Sequence, residues 1–187
     1  MDRVAVIARL KKFEGCVSNM YLCTGGEVTI GVGHAIPTSQ EASKLSWQIG
    51  GAAAAPAQAA ADFERVAAAP KGMPASAYAG LTQCRMGEGD VEGLLEADLQ
   101  SFEAQLAATL PKWNSYPEPV QEALFDMAFN LGLGGLKKFP RMLTAIDAGD
   151  WNTAAAQCHR QGIGEARNQE IAALFQSAST AQTPLVP

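Results

Sequence analysis

The β-forming residues of this chain are crowded into one short segment. Val28-Thr29-Ile30-Gly31-Val32-Gly33 sets β-branched side chains between glycines, behind the turn-forming run Thr24-Gly25-Gly26. Residues 21–33 therefore read as a small, tight antiparallel hairpin or meander. Its interior glycines leave room for another group to approach the backbone, for packing or for substrate. On both sides the pattern is helical. Val4, Ile7, Ala8, Leu10 and Lys11 carry a helix repeat up to Phe13-Glu14-Gly15, with Gly15 as the stop. One small sheet near the start and many helices after it define an α+β, mainly helical chain. The helices bury one another and the hairpin stands beside them as a lobe.

Gly89-Asp90-Val91-Glu92 opens a long helix with Asp90 as its N-cap, running through Leu94, Leu95, Leu99, Phe102 and Leu106. Another starts at Pro117, with Val120, Leu124, Met127, Ala128 and Leu131 on one face. Further helices are expected over residues 139–148, 150–161 and 166–177. The middle of the chain carries less pattern. Residues 50–61 are nearly all alanine around Pro56, residues 62–69 can form a helix, and Pro70-Lys71-Gly72-Met73-Pro74 breaks it. An alanine run forms helix readily but has little to bury, so residues 40–90 are expected to lie over the surface of the core fold. A length of 187 residues suits a single domain. Within it a small lobe is expected over about residues 12–60 and a helical lobe over about residues 90–178.

Composition excludes several function classes. No apolar run reaches the roughly 18 residues that cross a bilayer. Charges interrupt the apolar residues of the first ten positions, so that segment reads as a helix and not as a signal peptide. The net charge is −5 with no basic block, which argues against nucleic acid as a partner and gives no help in approaching an anionic polymer. Cys16, Cys23, Cys84 and Cys158 form no metal-binding spacing, and Cys158-His159 has no further ligand nearby. Disulfides remain open, Cys16 with Cys23 among them. Trp47, Trp113 and Trp151 can stack on sugars, although core packing suits Trp151 better.

One carboxylate stands apart from packing. Glu14 ends the first helix, where the macrodipole favours cations, and Phe13 with the apolar helix face is expected to desolvate it. Both effects favour a protonated carboxyl, which a general acid near neutral pH requires. The competing possibility is an exposed Glu14 paired with Lys11 or Lys12.

Phe13-Glu14-Gly15, Tyr21-Leu22-Cys23-Thr24-Gly25-Gly26 and Val28-Thr29-Ile30-Gly31-Val32-Gly33-His34 together resemble the active-site region of the phage-type, T4-like lysozymes. The run from Gln121 through Phe129-Asn130-Leu131-Gly132 is similar to that family's central helix. Residues 139–151 and Arg167, four residues after Ile163, are similar to its C-terminal helices. The most specific part is TIGVGH, with a Glu fifteen residues before its Thr. The resemblance implies cleavage of the β-1,4 bond between N-acetylmuramic acid and N-acetylglucosamine in peptidoglycan, hence wall lysis, without a cofactor or metal. It implies that Glu14 protonates the leaving oxygen and that Thr29 helps to place the attacking water. The family usually has an Asp between them, and here that position is Cys23.

The oxocarbenium-like transition state wants an anion or an oriented water on the opposite sugar face. A Cys23 thiolate can serve as base or nucleophile if its pKa is lowered from the usual value near 8.5. Glu27 can supply the carboxylate instead, because residues two apart on a strand share a face with each other and so with Thr29. If neither serves, Cys23 is structural and the enzyme weak or dead. The lost Asp also suits a lytic transglycosylase with a single catalytic Glu, or a non-catalytic glycan-binding module. A cysteine peptidase built on Cys23 and His34 lacks a helix N-terminus at the thiol. Among secondary residues, His34, Asn130, Gly132 and Arg167 are candidate substrate contacts; His34 can also brace the Glu14 loop, act directly or be a satisfied structural histidine. Asn130 and Gly132 end the central helix, with Asn130 able to bind an acetamido group or to cap. Arg167 can pair with Glu14 or Asp126. The substrate lies outside the inner membrane, so a cytoplasmic protein without a leader needs delivery through a phage pore, as an endolysin, or by a secretion machine. The acidic charge, the cysteines and the alanine-rich stretch favour a type VI secretion effector acting in the periplasm. Such a toxin, a monomer, needs an immunity protein that plugs its cleft.

Overall fold

A computed structural model describes residues 1–181. Helix α1 (Arg3–Glu14) leads into a three-stranded antiparallel sheet of β1 (Val17–Leu22), β2 (Val28–Gly31) and β3 (His34–Ala35), in that spatial order. The short helix α2 (Ser39–Ala42), a separate two-stranded hairpin of β4 (Gln48–Ile49) and β5 (Ala52–Ala53), and helix α3 (Pro56–Ala67) follow. After a 3-10 turn over Ala75–Leu81 come α4 (Glu88–Thr109), α5 (Glu118–Leu136), α6 (Pro140–Ala148), α7 (Trp151–Gln157) and α8 (Glu165–Ala181). The fold is α+β, as the clustering of β-branched residues implies. No helix among the described residues is long and apolar enough to cross a membrane.

The chain forms two compact units, Leu10–Leu99 and Met1–Arg9 with Gln100 onward, so α1 and α4 each contribute to both. In the first unit, β1 pairs with β2 through Val17↔Gly31, Tyr21↔Thr29 and Leu22↔Val28, with an irregularity between Val17 and Tyr21. The sheet begins four residues earlier than the sequence pattern suggests. Met20, Leu22, Ile30 and Val32 fill its inner face. Gly31 is where a helix meets the strand backbone: a β carbon there would lie 2.9 Å from Val91 Cγ1.

Residues 51–58 of the alanine-rich stretch are exposed apart from the half-buried Ala54, and the helix they lead into buries one face. Pro56 takes the first position of α3, where its missing N–H is no loss, and the Gln58 side chain accepts a hydrogen bond from the Ala55 N–H at 2.7 Å. Ala59, Asp62, Phe63 and Val66, at helical spacing, are buried, and α3 packs on β1 and β2. Asp62 is fully buried and accepts the N–H groups of Gln83 at 2.8 Å and Cys84 at 2.7 Å, with Arg65 as its ion-pair partner. One face of α3 is thus packed, and a single Asp ties it to the segment that leads into α4. That helix starts at Glu88, so Asp90 sits in its first turn and not at the N-cap. Acidic residues in that turn suit the positive end of the helix.

In the second unit α5 is buried on nearly every side from Val120 to Ala128, and not only on the expected face. Phe102, Phe125 and Phe129 form an aromatic cluster with ring centroids 5.5, 6.0 and 6.1 Å apart. Gly132 breaks α5 with φ +71° and ψ 162°, a conformation that a side chain would strain. Trp113 and Trp151 lie in this core, and Trp47 lies in the core of the first unit, where its indole N–H donates to the Ala42 carbonyl at 2.8 Å.

Candidate active site

The chemistry concentrates in the first unit where β1 turns into β2. Cys23 closes that turn from both sides. Its N–H donates to the Glu27 carbonyl at 3.0 Å, and its own carbonyl accepts the Gly26 N–H at 2.8 Å. Gly26 has φ +84°, so the tight return is available to glycine and strained for other residues. The sulfur rests on Gly25, where a β carbon would lie 3.5 Å from Sγ. Partial burial pushes the thiol pKa up. The N–H of Glu27, the Thr29 hydroxyl and the N–H groups of Gly25 and Gly26 act in the opposite direction and prevail, so the pKa is lowered from its ordinary value.

Thr29 is buried, and its hydroxyl donates to the Glu27 carbonyl at 3.0 Å. The hydroxyl has one proton and two acceptors, that carbonyl and the sulfur, so it can turn to the sulfur when the thiol ionises. Glu27 precedes β2 and is exposed, whereas Thr29 lies within the strand. The Glu27 carbonyl accepts both the Cys23 N–H and the Thr29 hydroxyl, which ties its backbone into the turn.

Glu14 is the last residue of α1, and Gly15 follows with φ +77°. The side chain is exposed, so Phe13 does not desolvate it as expected; Phe13 instead lies under the Lys12 ammonium, 4.7 Å from the ring centroid. Lys11 is held by Glu92 and, at 3.8 Å, by Glu88. Glu14 and Cys23 both bear on Tyr21, which pairs with Thr29 across the sheet. Burial raises the phenol pKa first, and the charges of Cys23 and Glu14 add to it.

Cys16 and Cys23 flank the two ends of β1, separated by roughly 20 Å of extended chain, too far for a disulfide. All four cysteines are free. His34 is held in a structural contact, one of the roles its sequence position left open. Its Nδ1 lies 2.8 and 3.1 Å from the Asp98 carboxylate, anchoring β3 to α4 and not to the Glu14 loop. His159 lies 3.3 Å from Glu165, and among the described residues no group of three His, Cys, Asp or Glu side chains could hold a metal ion.

In the second unit, Asn130 does not cap α5; its Oδ1 is buried without a hydrogen-bond partner. Gly132 is the exposed break after it. Arg167 pairs with Asp126, its Nε 3.0 Å from Oδ1 and its Nη2 3.0 Å from Oδ2. Arg160 donates to the same carboxylate at 3.0 Å. Burial lowers the Arg160 pKa despite that carboxylate. The sequence pattern proposed the Asp126–Arg167 pair but gave no sign of Arg160, which follows an irregular segment. The donors around Cys23 were also missed, because they are backbone groups; the adjacent Gly25-Gly26 was their one trace.

A family model described as phage lysozyme matches residues 11–176. The pre-baseplate central spike protein of Enterobacteria phage T4 is 30% identical over 148 residues, covering 78% of this chain. The chain spans 22% of the length of that relative. The family match runs from the end of α1 through the Cys23 turn and α5 into α8, and on that extent the chain belongs to the phage lysozyme family.

Proposed function

We propose that this chain hydrolyses the glycan strand of peptidoglycan at the β-1,4 bond between N-acetylmuramic acid and N-acetylglucosamine, with Glu14 as general acid and the Cys23 thiolate as the anion of the site. What supports this reading is the tight Cys23 turn on the strand that follows Glu14, closed by the Cys23 N–H to the Glu27 carbonyl and the Gly26 N–H to the Cys23 carbonyl, with the thiol pKa lowered there. Glu14 gives its proton to the leaving oxygen as the bond from the sugar C1 breaks. The positive charge that develops on the ring is offset by the thiolate, and a water adds to C1 while its proton passes to sulfur. A return of that proton to Glu14 through solvent restores both groups. Because water and not sulfur bonds to C1, the product has inverted configuration. Thr29 positions the sulfur, and Glu27 acts through its backbone.

Muropeptide analysis of digested peptidoglycan tests this. The wild type should release fragments with reducing ends, and Glu14→Gln should release none. Cys23→Ser should be slower by about 100-fold or more, and Glu27→Gln should stay close to wild type. Anhydro ends would instead indicate a transglycosylase, and binding without product would indicate a retired site.

We further propose delivery to the wall by a spike-type or secretion apparatus, which the similarity to part of a phage spike protein supports. As an antibacterial effector the chain would act as a monomer in the periplasm and be blocked in its producer by an immunity protein that covers the site. A small periplasmic protein encoded beside it, and binding it, would support this; a holin gene in that place would point to an endolysin.

A further inference from the structure

A lysine from the alanine-rich half of the first unit reaches the Cys23 turn. Lys71 stands in the Pro70-Lys71-Gly72 connection between α3 and the 3-10 turn, and its side chain lies across Gly26. A β carbon on Gly26 would come within 2.5 Å of the Lys71 Nζ, 2.6 Å of Cε and 3.0 Å of Cδ. Gly26 closes the Cys23 turn, its N–H donating to the Cys23 carbonyl at 2.8 Å. The ammonium therefore lies over the turn that, at Gly25, is in contact with the Cys23 sulfur. Lys71 is exposed and forms no hydrogen bond or ion pair with another described residue.

The other titratable groups around the turn are Glu14 from the end of α1, Tyr21 on β1 and Glu27 at the start of β2. Two of these are carboxylates, so a thiolate adds a third negative charge to a chain already at −5. Lys11, at the end of α1, is engaged by Glu88 and Glu92. We propose that Lys71 is an electrostatic positioning residue of this site: packed on Gly26, it supplies the counter-charge for the Cys23 thiolate and braces the turn that presents the N–H donors. This inference rests on the reading of Cys23 as the site's anion. It explains why a lysine standing between two helix breakers is useful at that point of the chain.

The test measures the thiol and not the hydrolysis. In a Cys16→Ser background, the rate of Cys23 alkylation by iodoacetamide is followed against pH by peptide mass mapping, for Lys71, Lys71→Arg and Lys71→Met. The midpoint of the rate should rise by about half a pH unit in Lys71→Met, making alkylation near neutral pH about threefold slower. Lys71→Arg should match the parent, and the shift should shrink in 1 M salt, to which a purely steric brace would be indifferent. Equal midpoints in all three, or Lys71→Arg behaving as Lys71→Met, would overturn the proposal. A Lys71 effect on alkylation in a chain that cuts no peptidoglycan would leave this proposal standing and remove the catalytic role of Cys23.

Discussion

A thiol is a poor substitute for a carboxyl by its intrinsic acidity, since it ionises roughly four to five pH units higher. The Cys23 turn offsets part of that gap: polar interactions with its backbone and with Thr29 outweigh burial and lower the thiol pKa. Thiolates and not thiols react with alkylating agents, so the four cysteines should separate by environment. Burial, then the charge and hydrogen bond of Asp62, push the Cys84 thiol up to about 11, and burial also raises that of Cys158. Cys23 should therefore be labelled well before Cys84 and Cys158 by iodoacetamide at neutral pH. Loss of hydrolysis should follow Cys23 labelling and not that of the exposed Cys16, as peptide mapping against residual activity will show. Full activity after complete Cys23 labelling would remove the sulfur from the mechanism.

At the level of elements, legibility depended on whether the information was local. The end of α1 at Gly15, the hairpin and the break at Gly132 could be read directly, because each is set by residues within a turn of it. Glu27 falls at the boundary of the paired segment, which begins at Val28, where alternation is a weaker guide to the face of a side chain. The packed face of α3 was not legible in the alanine run, because Phe63 and Val66 lie beyond it and Asp62 receives its partners from about twenty residues downstream. Asp62→Ala should cost about 2–4 kcal/mol by leaving two buried N–H groups unpaired, read as a lowered denaturation midpoint; an unchanged midpoint would mean that water replaces the carboxylate. Asp126 links α5 to Arg160 and Arg167 in the same manner, with all three side chains buried. Asp126→Ala strands two guanidinium groups and should cost about 3–5 kcal/mol, checked by the same denaturation measurement.

Over the whole chain, periodicity suggested lobes of about 12–60 and 90–178, whereas the compact units are Leu10–Leu99 and the remainder with Met1–Arg9. The first turns of α1 join the C-terminal helices through contacts that no local pattern encodes. Arg9 lies 3.0 Å from both Glu122 and Glu170, and Arg3 lies 2.9 Å from Glu103. The site sequence is interpretable at this scale only because Glu14, Cys23 and Thr29 fall within one unit, around a turn whose donors suit an anion. The most direct test is the pH profile of kcat/KM for the wild type beside Cys23→Asp. The anion must be ionised for turnover, so wild-type activity should rise with pH as the thiol ionises, below the ordinary thiol range. A carboxyl in the same turn is ionised above about pH 5, so Cys23→Asp should remain active with its rising limb moved several pH units toward acid. A rising limb that coincides in both proteins would mean that Cys23 is not the group that titrates, and that the anion of this site lies elsewhere.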